Sequence, residues 1–271
     1  MIKKLPVPLL LLAVAAARLL AADPEPAPPQ APGFDGHPLD PAQPVAVRIV
    51  SPAPDAVVPD NGVDVFVQAD NYAVAEGGNA VHLLVDNGAP QALDDLRAPL
   101  TLRGLAEGGH TLRVLAVRPD GTALANPEAA AMVHFFVRRR DFQNYADPAK
   151  PYLTVNLPLN SRGAGAALQG RVWFDFRTPN APLAKAGGYV VRCTINQTAQ
   201  VIDSARPIYW DNLQPGRYDL TAELLTSDLK DVPGPFNRVT RTFDVQTPAK
   251  AMPTTQAPAA PPRAVRKEAI D

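Results

Sequence analysis

Two stretches decide how this chain is read: Leu105-Ala106-Glu107-Gly108-Gly109-His110-Thr111-Leu112 and Leu213-Gln214-Pro215-Gly216-Arg217-Tyr218-Asp219-Leu220. Both obey Leu-x-x-Gly-x-[His/Tyr]-x-Leu, and they lie 108 residues apart. The same offset pairs Pro99 with Pro207, Pro127 with Pro235, Phe135 with Phe243 and Val137 with Val245. Upstream the offset is 110, matching Gly77-Gly78 to Gly187-Gly188 and Val81-His82-Leu83 to Val191-Arg192-Cys193. A short deletion in the second copy accounts for the shift. Matches in one order across both halves imply an internal duplication.

Each copy reads as short strands. Val63, Val65 and Val67 alternate with polar neighbours, as do Val81, Leu83 and Val85. Leu112, Val114 and Ala116 follow, then Val133, Phe135 and Val137. Side chains alternate across a strand, so this period places one face of each in a core. Asn87-Gly88 predicts a type I′ turn after Val85, because both central positions of that turn need positive φ. Pro119-Asp120-Gly121 predicts another turn. No segment joins helix caps to a 3.6-residue period over three turns. Strands and turns at this spacing predict an all-β sandwich or barrel, and about 95 residues per copy fits one sandwich.

The run from Leu213 to Tyr218, Leu-x-Pro-Gly-x-Tyr, resembles the turn before the penultimate strand of fibronectin type III and related immunoglobulin-like domains. The resemblance implies two tandem immunoglobulin-like β-sandwich domains. It also implies that Tyr218 hydrogen-bonds back to its own turn as a structural corner, and that His110 takes that place in the first copy. The disulfide and core tryptophan of antibody domains have no counterpart here.

The expected organisation is a signal peptide at 1–22, a Pro-rich spacer at 23–43 and domain one at 44–137. A linker at 138–150, domain two at 151–246 and a disordered tail at 247–271 follow. Met1 to Lys4 is a positive start, and Leu5 to Ala17 is an apolar core too short to span a bilayer. Cleavage fits after Ala17 or after Ala22, leaving no stable membrane span. The 31 prolines gather in the tails and at segment boundaries. The expected location is periplasmic or extracellular, in a bacterial type of envelope.

Composition narrows the chemistry. A formal net charge of −1 gives no electrostatic reason to expect nucleic acid. The single cysteine, Cys193, lies in an apolar alternating run and reads as a small buried hydrophobe. The four histidines, His37, His82, His110 and His134, make no metal-ligand spacing. No nucleophile elbow and no phosphate-cradling glycine loop occurs. Asp60-Asn61, Asp70-Asn71 and Asp94-Asp95 would suit calcium, but turns favour the same residues. The expectation is a non-enzyme with no catalytic residue, cofactor or metal.

Comparing the copies exposes one asymmetry. Outward positions of the C, F and G strands in domain one include Leu84, Leu115, Val117 and Phe136, beside His82, Arg113 and His134. In domain two the corresponding positions are mostly polar, among them Arg192, Thr194, Asp219, Thr221, Glu223, Arg238 and Thr240. An apolar face on a sandwich marks a contact. The candidate occupants are an envelope protein, the spacer or the protein's own second domain. Domain two also carries Trp173, Tyr209 and Trp210, which could stack on a polysaccharide. The leading expectation is a structural or protein-interaction module, and the alternative is a carbohydrate-binding accessory protein.

Overall fold

A computed structural model describes residues 44–159, 172–211 and 213–245. The signal peptide, the spacer and the tail lie outside the described residues. The first copy contains β1 (Ala46–Ser51), β2 (Ala56–Val58), β3 (Val63–Asp70) and β4 (Ala80–Val85). It continues with β5 (Gln91–Leu93), β6 (Leu100–Leu102), β7 (Gly108–Val117) and β8 (Ala130–Val137). The second contains β9 (Thr154–Leu157), β10 (Val172–Arg177), β11 (Tyr189–Ile195) and β12 (Thr198–Ile202). It ends with β13 (Ile208–Trp210), β14 (Gly216–Thr226) and β15 (Arg238–Val245).

Two β-sandwiches result, with matching strand orders. Domain one packs the sheet β1-β3-β6 against β2-β8-β7-β4-β5, and domain two packs β9-β10-β13 against β12-β11-β14-β15. β4, β7 and β8 thus occupy the places that β11, β14 and β15 occupy in the second copy. The alternation explains the cores. Val65, Val67, Val81, Leu83, Leu112, Val114, Val133 and Phe135 fill domain one. Val155, Phe174, Val191, Cys193, Leu220, Ala222, Val239 and Phe243 fill domain two. Burying each large aliphatic or aromatic side chain contributes about 1.5–3 kcal/mol.

The turn after β4 differs from the expected one. Gly88 N donates to Val85 O at 2.9 Å, so Asp86 and Asn87 are the central pair. Positive φ falls on Asp86, at 50°. The reason lies in the neighbouring strand, because Asp86 N donates to Thr111 O at 2.8 Å while its carboxylate accepts the Thr111 N–H at 2.8 Å. Glycine at that position has no acceptor to offer. The second copy repeats the device: Asn196 has φ 50°, donates to Asp219 O at 2.8 Å and accepts the Asp219 N–H at 3.1 Å.

The corner residues sit alike in the two copies. Tyr218 Oη donates to Gln214 O, four residues back, at 2.9 Å. His110 Nε2 donates to Ala106 O, also four residues back, at 2.9 Å. His110 does more than its counterpart, because its Nδ1 meets the Asp86 carboxylate at 2.7 Å. Acceptors at both nitrogens suit the doubly protonated ring. The Asp86 hydrogen bond holds its pKa above the ordinary histidine value.

Candidate functional site

The outer face of β4, β7 and β8 is covered. Leu84, Leu115, Val117 and Phe136 are all buried, and so is His82. The sequence left open whether an envelope protein, the spacer or the second domain meets these residues, and here other parts of the same chain bury them. Leu84, Leu115 and Val117 form a second apolar cluster with Ala80 and Ala123, on the side of the sheet away from the domain-one core. Two other parts of the chain cover the face.

The linker covers one end. Asp141 Oδ1 accepts the Gly109 N–H at 2.8 Å, and Asn144 Nδ2 donates to Gly109 O at 3.2 Å. Thr111 Oγ1 donates to Asn144 O, and His134 Nδ1 lies 2.7 Å from that hydroxyl. Phe142 meets Phe136 edge-on at 5.7 Å, and Tyr145 lies over His134 at 4.2 Å. Glycine is required at 109, where a Cβ would overlap the Asp141 backbone, and it is favoured at 108 by a φ of 115°. His82 and His134 pair with Leu115 and Thr111, four residues apart along β7, so they do not share a site.

Domain two covers the rest through the outward residues of β9 and β10. Val155 and Phe174 point into their own core, which leaves Thr154, Asn156, Trp173, Asp175 and Arg177 turned the other way. Asn156 is the hub. Its Oδ1 accepts from His82 Nδ1 at 2.6 Å, and its Nδ2 donates to Gly121 O at 2.8 Å and to Asp175 Oδ2 at 2.6 Å. The same Asp175 oxygen accepts the Ala123 N–H at 2.9 Å. Burial pushes the Asp175 carboxyl up to about 6 and holds His82 below its ordinary value.

Two buried guanidinium groups complete the seam. Arg113 donates to Leu153 O and Thr154 Oγ1, each at 2.9 Å, and to Asp86 O, and it lies 4.3 Å over the Phe236 ring. Arg241 donates to Val155 O at 2.7 Å and across the seam to Gly88 O at 3.1 Å. Burial lowers both, to about 10 and about 9, and the nearby Arg113 charge adds to the effect at Arg241. Both stay protonated at neutral pH. Arg177 adds bonds to Leu124 O at 3.0 Å and to Asn126 O at 3.2 Å.

Hollows along the seam among the described residues include a larger and a smaller one. The larger, about 1160 Å³, is lined from domain one by Arg113, Leu115, Leu124 and Met132 and from domain two by Tyr152, Phe176, Arg177 and Arg206. The smaller, about 300 Å³, is lined by Trp173 with Glu76, Asp94 and Asp120.

The aromatic trio of domain two does not form one platform. Trp173 stands opposite Tyr209 across the β10–β13 pair, and the rings meet at 5.1 Å and 70°. Trp210 stands opposite the core residue Val172 and packs against the domain-two core, 6.0 Å from the Phe174 ring. A pleated strand puts neighbours on opposite faces, so Tyr209 and Trp210 cannot both face one ligand.

No metal-binding group of three or more His, Cys, Asp or Glu side chains occurs among the described residues. Asp70 pairs with Arg48 at 2.6 Å, and Asp95 pairs with Arg97 at 2.6 Å. Cys193 is buried in the domain-two core, and burial pushes its thiol up to about 12, far from a reactive thiolate. No helix among the described residues is long and apolar enough to cross a membrane. Sequence reasoning missed Asn156, Asp175, Arg177 and Arg241. The alternation of Trp173, Asp175 and Arg177 with core residues marks an outward face, but it does not say whether water or protein meets it.

No family model matches the chain, and no curated protein matches it in sequence. Among solved structures it is similar to the fibronectin(III)-like modules of Clostridium thermocellum CbhA, at 12% identity and a TM-score of 0.27, covering 74% of this chain and 94% of that one. The central fibronectin-III array of RIM-binding protein aligns at 12% identity and a TM-score of 0.27, over 78% of this chain and 71% of that one. A Corynebacterium diphtheriae protein described as membrane anchored aligns at 12% identity and a TM-score of 0.25, over 75% of this chain and 59% of that one. The chain's own strand order places it among tandem immunoglobulin-like and fibronectin III-like β-sandwiches.

Proposed function

We propose that this chain is exported to the cell envelope and works there without catalysis, as a two-domain structural module that holds a protein partner. The observation that carries the reading is the seam. Its polar side chains reach the other domain, Asn156 to His82 and Gly121 O and Arg113 to Leu153 O and Thr154 Oγ1. Groups committed in this way hold two domains in one orientation rather than turning over a substrate. The positively charged start and short apolar run at the N-terminus support export.

The test fuses residues 1–43 to a reporter enzyme that is active only outside the bacterial cytoplasm. Export and an N-terminus at Arg18 or Asp23 are expected. A cytoplasmic, uncleaved fusion contradicts the proposal. The protein-partner half is tested by capture from an envelope fraction on the mature chain, followed by reconstitution with the purified candidate. Failure of every captured protein to bind in purified form contradicts it.

A polysaccharide ligand is the second reading, favoured by the position of Trp173 on a hollow that three carboxylates also line. An aromatic face beside acidic acceptors suits a sugar ring and its hydroxyls. Quenching of tryptophan fluorescence by oligosaccharides, lost in Trp173→Ala, is expected if that reading holds. Unchanged fluorescence across a panel of envelope sugars rejects it.

A further inference from the structure

The larger hollow between the domains has walls of two kinds. Leu115, Leu124, Met132 and Phe176 make it apolar, and Arg177 and Arg206 supply positive charge from domain two. Asp175 is its acidic residue, and that carboxylate is already engaged by Asn156 and by the Ala123 N–H. A fitting occupant is therefore extended, apolar in part and acidic.

The chain carries such a segment immediately upstream. Residues 23–43 contain Asp23, Glu25, Asp35 and Asp40 and no lysine or arginine. The large apolar side chains, Phe34 and Leu39, each stand directly before an aspartate. The segment enters the fold beside the hollow. Asn126 Nδ2 holds Val45 O at 2.8 Å, Ala125 and Pro127 line the hollow, and Arg177 binds Asn126 O at 3.2 Å. At about 3.3 Å per extended residue, Leu39 reaches roughly 17 Å from Pro44 and Phe34 about twice that. A tether this short gives the segment an effective concentration on the order of millimolar.

We propose that the acidic spacer, residues 23–43, docks in the interdomain hollow of its own chain, with Phe34 and Leu39 on the apolar wall and Asp35 and Asp40 facing Arg177 and Arg206. An external partner reaching this hollow must then displace the spacer, so it carries the same mixture of apolar and acidic groups. The inference rests on the reading that export leaves residues 23–43 on the mature chain, which the mass of the exported product tests separately.

The test uses the mature chain from Asp23 with a nitroxide at Gly36→Cys. Cys193 is buried and does not compete for the label. Several-fold broadening of the amide signals of Ala123, Leu124, Met132 and Thr178 is expected, independent of protein concentration. Leu39→Lys or Arg206→Glu should abolish most of it without moving the thermal midpoint, and Asp40→Lys should restore it in the Arg206→Glu background. Signals unaffected by the label overturn the proposal. Broadening that fades on dilution also overturns it, in favour of a second copy. Binding of 1-anilinonaphthalene-8-sulfonate in the hollow without any broadening overturns it in favour of a free anionic amphiphile.

Discussion

Asp175 and His110 are two ionisable side chains whose surroundings both favour the protonated form, burial at Asp175 and a carboxylate partner at His110. Asp175 is held by two N–H donors but buried, and its carboxyl rises from 3.8 to about 6. The folded state therefore favours the neutral acid. That preference is fully present below about pH 4 and is lost as pH rises through about 6. Asp175→Asn keeps an acceptor for Asn156 and Ala123 without the charge. It should gain about 2 kcal/mol relative to the wild type at pH 7.5 and almost nothing at pH 3.5. Paired thermal melts at the two pH values check this. An equal effect at both would mean that the carboxylate does not feel its burial.

His110 has the same pH dependence for a different reason. Its folded pKa is raised by the Asp86 hydrogen bond, so its contribution is present below about pH 6.5 and disappears as pH rises through the folded value. In Asp86→Asn the histidine should titrate lower than in the wild type, read from its ring proton shifts. Domain one should also lose stability at pH 6 while changing less at pH 9. An unmoved titration would break the link between the two residues.

At the scale of elements, β7 shows what a sequence can and cannot reveal. Its inward residues Leu112, Val114 and Ala116 were legible from alternation, as were the strands around them. Leu115 and Val117 are apolar as well, and every residue of β7 is buried. A strand apolar on both faces is covered on both, and that signal was present. Nothing in the pattern could tell which segment does the covering, because β10 alternates in the same way whether water or another domain meets its outer face. Asp175, on β10, gave no sign of its partner for that reason, whereas Arg241 falls in phase with the core residues Val239 and Phe243 of β15. The Asn87-Gly88 turn was misread because turn propensity is local, whereas the Asp86 carboxylate is committed to a neighbouring strand. The aromatic trio was read as a group although adjacent strand positions face apart.

The linker's hold on β7 gives a test at this scale. Gly109→Ala puts a methyl group into the Asp141 backbone, and the expected cost is about 2–3 kcal/mol. Asp141→Ala removes the cap on Gly109 N with a long bond from Gln143 N and the exposed Arg139 pair, and should cost about 1 kcal/mol. Denaturant unfolding compares the two, and hydrogen exchange at Gly109 should quicken in both. Equal costs would mean that the close approach at Gly109 carries no penalty.

The whole molecule joins two duplicated sandwiches into one unit across the seam. Interfaces between domains in one chain are commonly modest and allow relative motion. This one buries an apolar cluster, two guanidinium groups and a hydrogen-bonded chain from His82 to Ala123. Leu84→Lys together with Leu115→Lys places two cations in that cluster, so the domains should part while each keeps its own core. The most direct measurement is of residual dipolar couplings on the weakly aligned mature chain. One alignment tensor should fit the amides of both domains in the wild type, and two different tensors should be needed in the double-lysine variant. Two tensors in the wild type would contradict the central claim, because the domains would then move independently and the seam would not hold them.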